Sequence, residues 1–72
     1  LSYVEQREFD RLPERIEALE SEQQRLNATI AHPDFYKETA ETIRQILARL
    51  DELGKELLDA YALWDELDSR SK

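Results

Sequence analysis

Apolar residues recur along this chain at alternating steps of three and four, and that spacing leaves few folds open to it. Leu12, Ile16, Leu19, Gln23, Leu26 and Ile30 follow one another at steps of 4, 3, 4, 3 and 4. Ile43, Ile46, Leu50, Leu53, Leu57, Ala60, Trp64 and Leu67 follow at 3, 4, 3, 4, 3, 4 and 3, and Leu47 and Tyr61 widen this second stripe. Charges occupy the remaining faces, so both runs are heptad seams of the coiled-coil kind. No alternation of period two persists for more than a few residues, which argues against strands. The expected fold class is all-α: an antiparallel two-helix coiled-coil hairpin with a short N-terminal helix.

Punctuation residues set the expected boundaries within a single domain. Pro13 suits the first turn of a helix, where its missing N–H would be unpaired anyway. His32-Pro33-Asp34 stops that helix, because Pro33 pushes its predecessor out of the α region and cannot extend the hydrogen-bond ladder. Thr39 is a candidate N-cap for the second helix, with Glu41 near the positive end of its dipole. The long helices are thus expected over 13–31 and 40–69, about 28 and 45 Å at roughly 1.5 Å per residue. The intervening loop, 32–39, is short enough to fold them back antiparallel as a monomer. Before Pro13, Ser2-Tyr3-Val4-Glu5 reads as a capping box and opens a short third helix within 2–12.

Folding at the loop pairs positions whose numbers sum to about 73, so Ile30 meets Ile43, Leu19 meets Gly54 and Ile16 meets Leu57. Gln23 is the polar seam residue, a type that fixes register at some cost in stability. Gly54 marks either a close approach beside Leu19 or a tolerated surface glycine. Small domains are marginal, and an aromatic base at the open end is the expected remedy: Tyr3, Phe9 and Leu12 against Tyr61, Trp64 and Leu67. At the other end, Phe35 and Tyr36 are expected to cover Ile30 and Ile43.

The inventory for chemistry is short. The chain holds one Gly, one His and no Cys, which excludes a glycine-rich phosphate loop, a zinc site and a Cys-His nucleophile. No disulfide framework is available, no apolar run reaches the ~18 residues of a membrane span, and no signal-peptide pattern is present. Acid pairs such as Asp51/Glu52 read as solvated helix faces, His32 as a loop residue, and no residue as catalytic or metal-ligating. Arg7, Arg11 and Arg15 lie four apart and would form one stripe if the helix ran on through Pro13, a pattern that can track a phosphate backbone. The alternative is local pairing with Glu8, Asp10 and Glu14. A formal net charge of −7 gives no long-range attraction to nucleic acid.

Four motifs appear in one order: L-S-Y-V-E-Q-R-E-F at 1–9, L-P-E-R-I-E-A-L-E at 12–20, P-D-F-Y at 33–36 and A-Y-A-L-W-D-E-L at 60–67. In this the chain resembles the C-terminal coiled-coil domain of bacterial ABC-F ATPases of the Uup type. The resemblance implies a piece of a longer cytoplasmic protein with two tandem ATP-binding cassettes and no transmembrane domain. ATP, Mg²⁺ and every catalytic motif would then lie upstream, leaving this piece non-enzymatic and without a cofactor. It also implies a DNA- or ribosome-binding role for the hairpin, for which Arg7, Arg11 and Arg15 are the candidate contacts to DNA or ribosomal RNA. Val4 stands where the family often has Lys, which removes one basic contact. Other roles open to such a hairpin are an arm docking on its own upstream ATPase domains or on a protein partner, and a dimerising tether.

Overall fold

Helix α1 (Tyr3–Ala31) starts at the capping box: the Ser2 hydroxyl accepts from the Glu5 amide at 3.2 Å, and the Glu5 carboxylate accepts from the Ser2 amide at 3.3 Å. In this computed structural model, which describes residues 1–71, α1 then continues for 29 residues with Pro13 inside it. The separate helices expected over 2–12 and 13–31 are therefore one. An interior Pro removes one ladder bond and crowds the preceding turn, at about 3 kcal/mol. Here the turns on both sides pack on the same partner helix, Phe9 and Leu12 before Pro13 and Ile16 after it, so continuity is held from outside.

The stop signal after α1 acts as the sequence suggests. The His32 amide bonds back to the Thr29 carbonyl at 3.2 Å, and a single 3₁₀ turn over Phe35–Lys37 carries the chain across the tip. His32 Nδ1 accepts from the Asp34 amide at 3.1 Å, which ties the turn to its own entry. Thr39 caps the next helix, its Oγ1 accepting from the Thr42 amide at 3.1 Å. Helix α2 (Ala40–Ser71) runs two residues beyond the expected end. The two helices form an all-α hairpin measuring 51 × 16 × 16 Å, with a radius of gyration of 16.1 Å. A globular chain of this length would have about 11 Å.

The core is one seam. Leu19, Leu53 and Leu57 cluster with Ile16 and Leu26 beside them; Leu12, Ala60 and Leu67 cluster with Phe9, Ile16 and Leu63. These contacts keep the register near the expected sum of 73. Polar pairs repeat it: Arg49 Nε and Nη2 donate to the two oxygens of Glu22 at 2.7 and 2.9 Å, a forked geometry. Arg70 reaches Glu5 at 2.5 Å at the open end, and the Tyr61 hydroxyl donates to Glu20 between them.

The aromatic base differs from expectation. Leu12 is buried, and Phe9 packs on its cluster with its ring 6.0 Å from that of Trp64. Tyr3, however, is 76% exposed, and Tyr61 and Trp64 are also exposed. The cause is the continuous helix: stepping back from Leu12 by three and four gives Phe9 and Glu5, so Tyr3 falls off the seam. At the tip, Phe35 is half-buried but Tyr36 stands in solvent beside Lys37. Gly54 makes no close approach, since an added Cβ would meet nothing within 4 Å.

That vacancy beside Gly54 makes a stabilising substitution available. Gly54→Ala should raise stability by about 1 kcal/mol, read as a higher midpoint in thermal or urea unfolding. Leu53, wholly buried, should cost about 2–5 kcal/mol when truncated to Ala. Trp64→Ala should cost less than Leu53→Ala, because over a third of the residue is already in water.

The pH response follows from the two cross-helix carboxylates. Glu22 is held below the usual carboxylate range by hydrogen bonds from Arg49, and Glu5 by its bonds to Ser2 and Arg70. The unfolded chain therefore takes up these protons first as pH falls, so their stabilisation is full well above pH 4.5 and drains away below it. Thermal melts of Glu22→Gln should lose the part of this acid sensitivity that Glu22 carries, with a smaller drop than wild type between neutral and acidic buffer.

Candidate nucleic-acid interface

Because α1 passes through Pro13 unbroken, Arg7, Arg11 and Arg15 project from one face at intervals of about 6 Å. All three are exposed. Local pairing with Glu8, Asp10 and Glu14 does not occur: among the described residues none of the three arginines lies within 4.0 Å of a carboxylate oxygen. Asp10 instead accepts from the Gln6 side chain at 3.0 Å. Arg7 sits over the Tyr3 ring, 5.7 Å from its centroid. Of the other arginines, Arg49 is engaged by Glu22, Glu52 and Glu56, and Arg70 by Glu5 and Glu66, while Arg25 and Arg44 have no carboxylate within 4.0 Å among the described residues.

The surroundings of the stripe are not uniformly basic. Arg11 and Arg15 border a shallow groove of about 330 Å³ between the helices, floored by Leu12, Ala60 and Leu63. Glu8, Glu56 and Asp59 line it too, so negative charge faces the two arginines across the groove. Glu56 is partly engaged by Arg49 at 3.7 Å, and Arg49 is held firmly in its cationic form by Glu22, Glu52 and Glu56. The stripe is thus three arginines long and bordered by carboxylates on its groove side.

At the other groove between the helices, Leu58 and Tyr61 stand exposed beside Gly54 and face Glu20, Gln23 and Gln24 of α1, and Leu47 is exposed nearer the tip. The hydrogen bond to Glu20 raises the Tyr61 phenol above its ordinary range, keeping it a donor. Sequence reading placed Tyr3 and Tyr61 in the core and gave neither a surface role. The signal for Tyr3 was available, since it lies off the seam once Pro13 is read as an interior residue. The residues present do not build a nucleotide cradle, because the sole Gly lies mid-helix. No group of three or more potential metal ligands occurs among the described residues. No helix among them is long and apolar enough to cross a membrane.

Comparison with known proteins covers nearly the whole length of the chain. The model of the ABC transporter C-terminal domain matches residues 1–69. The ATP-binding protein Uup-like of Haemophilus influenzae is 37% identical over 70 residues, covering 97% of this chain and 15% of that protein. The ATP-binding protein Uup of the same organism is also 37% identical over 70 residues, and covers 11% of its length. That of Escherichia coli is 32% identical over 69 residues, 96% of this chain and 11% of its own. The chain thus spans less than a sixth of the relatives it matches. No solved structure matches it. A family match over residues 1–69, with relatives 32–37% identical over nearly the whole chain, shows that this chain belongs to the ABC transporter C-terminal domain family, as the C-terminal domain of a Uup-type ABC-F protein.

Proposed function

We propose that this domain is a non-catalytic appendage that contacts the phosphate backbone of nucleic acid, DNA or ribosomal RNA, on behalf of an ATP-hydrolysing parent. The observation that carries the reading is the stripe of Arg7, Arg11 and Arg15, three cations on one helix face with no carboxylate partner among the described residues. An unpaired guanidinium is the group that best bridges to a phosphate, through two parallel N–H donors. Three such contacts supply a weak, non-specific affinity, about 10⁻⁴–10⁻⁶ M at physiological salt. The net charge of −7 works against it at long range. ATP and Mg²⁺ would be handled by the preceding part of the polypeptide.

A second reading, favoured by the exposed Leu47, Leu58 and Tyr61, is an arm that docks on the ATP-binding part of its own parent. The two readings use opposite flanks of the rod, so substitutions separate them. Replacing Arg7, Arg11 and Arg15 together by Gln should abolish binding to labelled DNA or RNA while leaving helix content by circular dichroism unchanged. For the wild type, log K against log salt should fall with a slope of about −2.7 on duplex DNA, three phosphates' worth. Undiminished binding by the triple variant would refute the stripe. Failure of the wild type to bind even at low salt would give the docking arm precedence.

A further inference from the structure

We infer that Tyr3 and Arg7 form a platform on which an unpaired nucleobase stacks, so that the domain prefers single-stranded nucleic acid to continuous duplex; this rests on the nucleic-acid reading above. Tyr3 is the first residue of α1, off the seam and 76% exposed, with no packing role to account for an aromatic there. Its ring already holds the Arg7 guanidinium at 5.7 Å, so a planar cation and an aromatic ring adjoin at one end of the arginine stripe. Both groups stack on bases irrespective of sequence, because every base has a π-face.

The recess beside the ring argues for a base over a further phosphate. It is an open recess of about 290 Å³ bounded by Tyr3, Val4, Arg7, Glu8 and Arg11. The Glu8 carboxylate repels a phosphate but accepts from the exocyclic amine of cytosine, adenine or guanine. Val4 adds an exposed apolar wall on the next turn face. Beyond the recess, Arg11 and Arg15 continue along the same helix face at about 6 Å intervals, a pitch suited to successive phosphates of one extended strand. A duplex can present a base to Tyr3 only by unstacking it, at a cost of a few kcal/mol per step. An unpaired strand has no such cost.

The test uses this chain with fluorescein-labelled 12-mers: single-stranded oligodeoxycytidine, single-stranded oligocytidine, and a mixed-sequence DNA duplex, measured by anisotropy at low salt. The expected result is tighter binding to one or both single strands than to the duplex, with the two strands distinguishing DNA from RNA as the natural source. Tyr3→Ala should weaken single-strand binding by about 5-fold or more and leave duplex binding unchanged, while Tyr3→Phe retains wild-type affinity. Tyr3 packs on nothing in the core, so circular dichroism should show each variant folded. Equal affinity for strand and duplex, or indifference to Tyr3→Ala, would overturn the platform and leave the arginine stripe standing. Binding to none of the three probes would overturn both.

Discussion

The contact of Leu19 with Leu53 and Leu57 is the constraint on which the rest of this hairpin depends. Neither helix could persist alone on propensity, since isolated helices gain most of their stability from an apolar face packed elsewhere. Once these three leucines meet, the step of three and four carries the contact outward in both directions along the seam. It reaches Leu26 toward the tip and Leu12, Ala60 and Leu67 toward the base. The forked Arg49–Glu22 pair lies beside this centre and reinforces the same register from the rim. Its forked geometry makes it directional, so a slip of one turn would lose both hydrogen bonds at once. Apolar burial supplies the adhesion and the guanidinium supplies the alignment.

Those features were legible in the sequence because they are periodic or local. The seams announced two helices, the eight-residue loop announced their antiparallel return, and Ser2 with Glu5 and Thr39 with its followers announced the caps. Pro13 misled because its effect is set by neighbours outside its own segment: the lost ladder bond is tolerated when Phe9, Leu12 and Ile16 are all fixed to α2. Placing a boundary there also misplaced Tyr3, which turns into solvent as soon as the seam is extended without a break. Trp64 and Tyr61 were misjudged differently. A two-helix base has no third layer to cover a large ring, so even seam-side aromatics keep water on one edge.

The candidate interface shows how local and global charge can point in opposite directions. Seventeen acids outnumber ten bases, and a strand of phosphates far away would feel repulsion. Near α1 some of these acids are engaged by contact, Glu22, Glu52 and Glu56 around Arg49, and Glu5 and Glu66 around Arg70. Arg7, Arg11, Arg15 and Arg25 of α1 have no carboxylate in contact among the described residues. At a Debye length of about 8 Å in physiological salt, contact partners matter more than distant totals. Under the proposed function, such an arrangement would give slow encounter and quick release.

The width of the rod, 16 Å in both short directions, has a consequence for how this domain can carry information. A pair of helices side by side has no inside in the sense that a globular domain has one: every turn that faces the seam on one edge faces water on the other. A molecule cannot be enclosed here, and no signal can travel through a deep interior. Any partner must be met at its surface, and any change of shape is a change in the tilt or sliding of one helix on the other. Length then matters more than bulk. A slight rotation at the base, where Glu5 holds Arg70, would be magnified over 51 Å into a displacement at the tip.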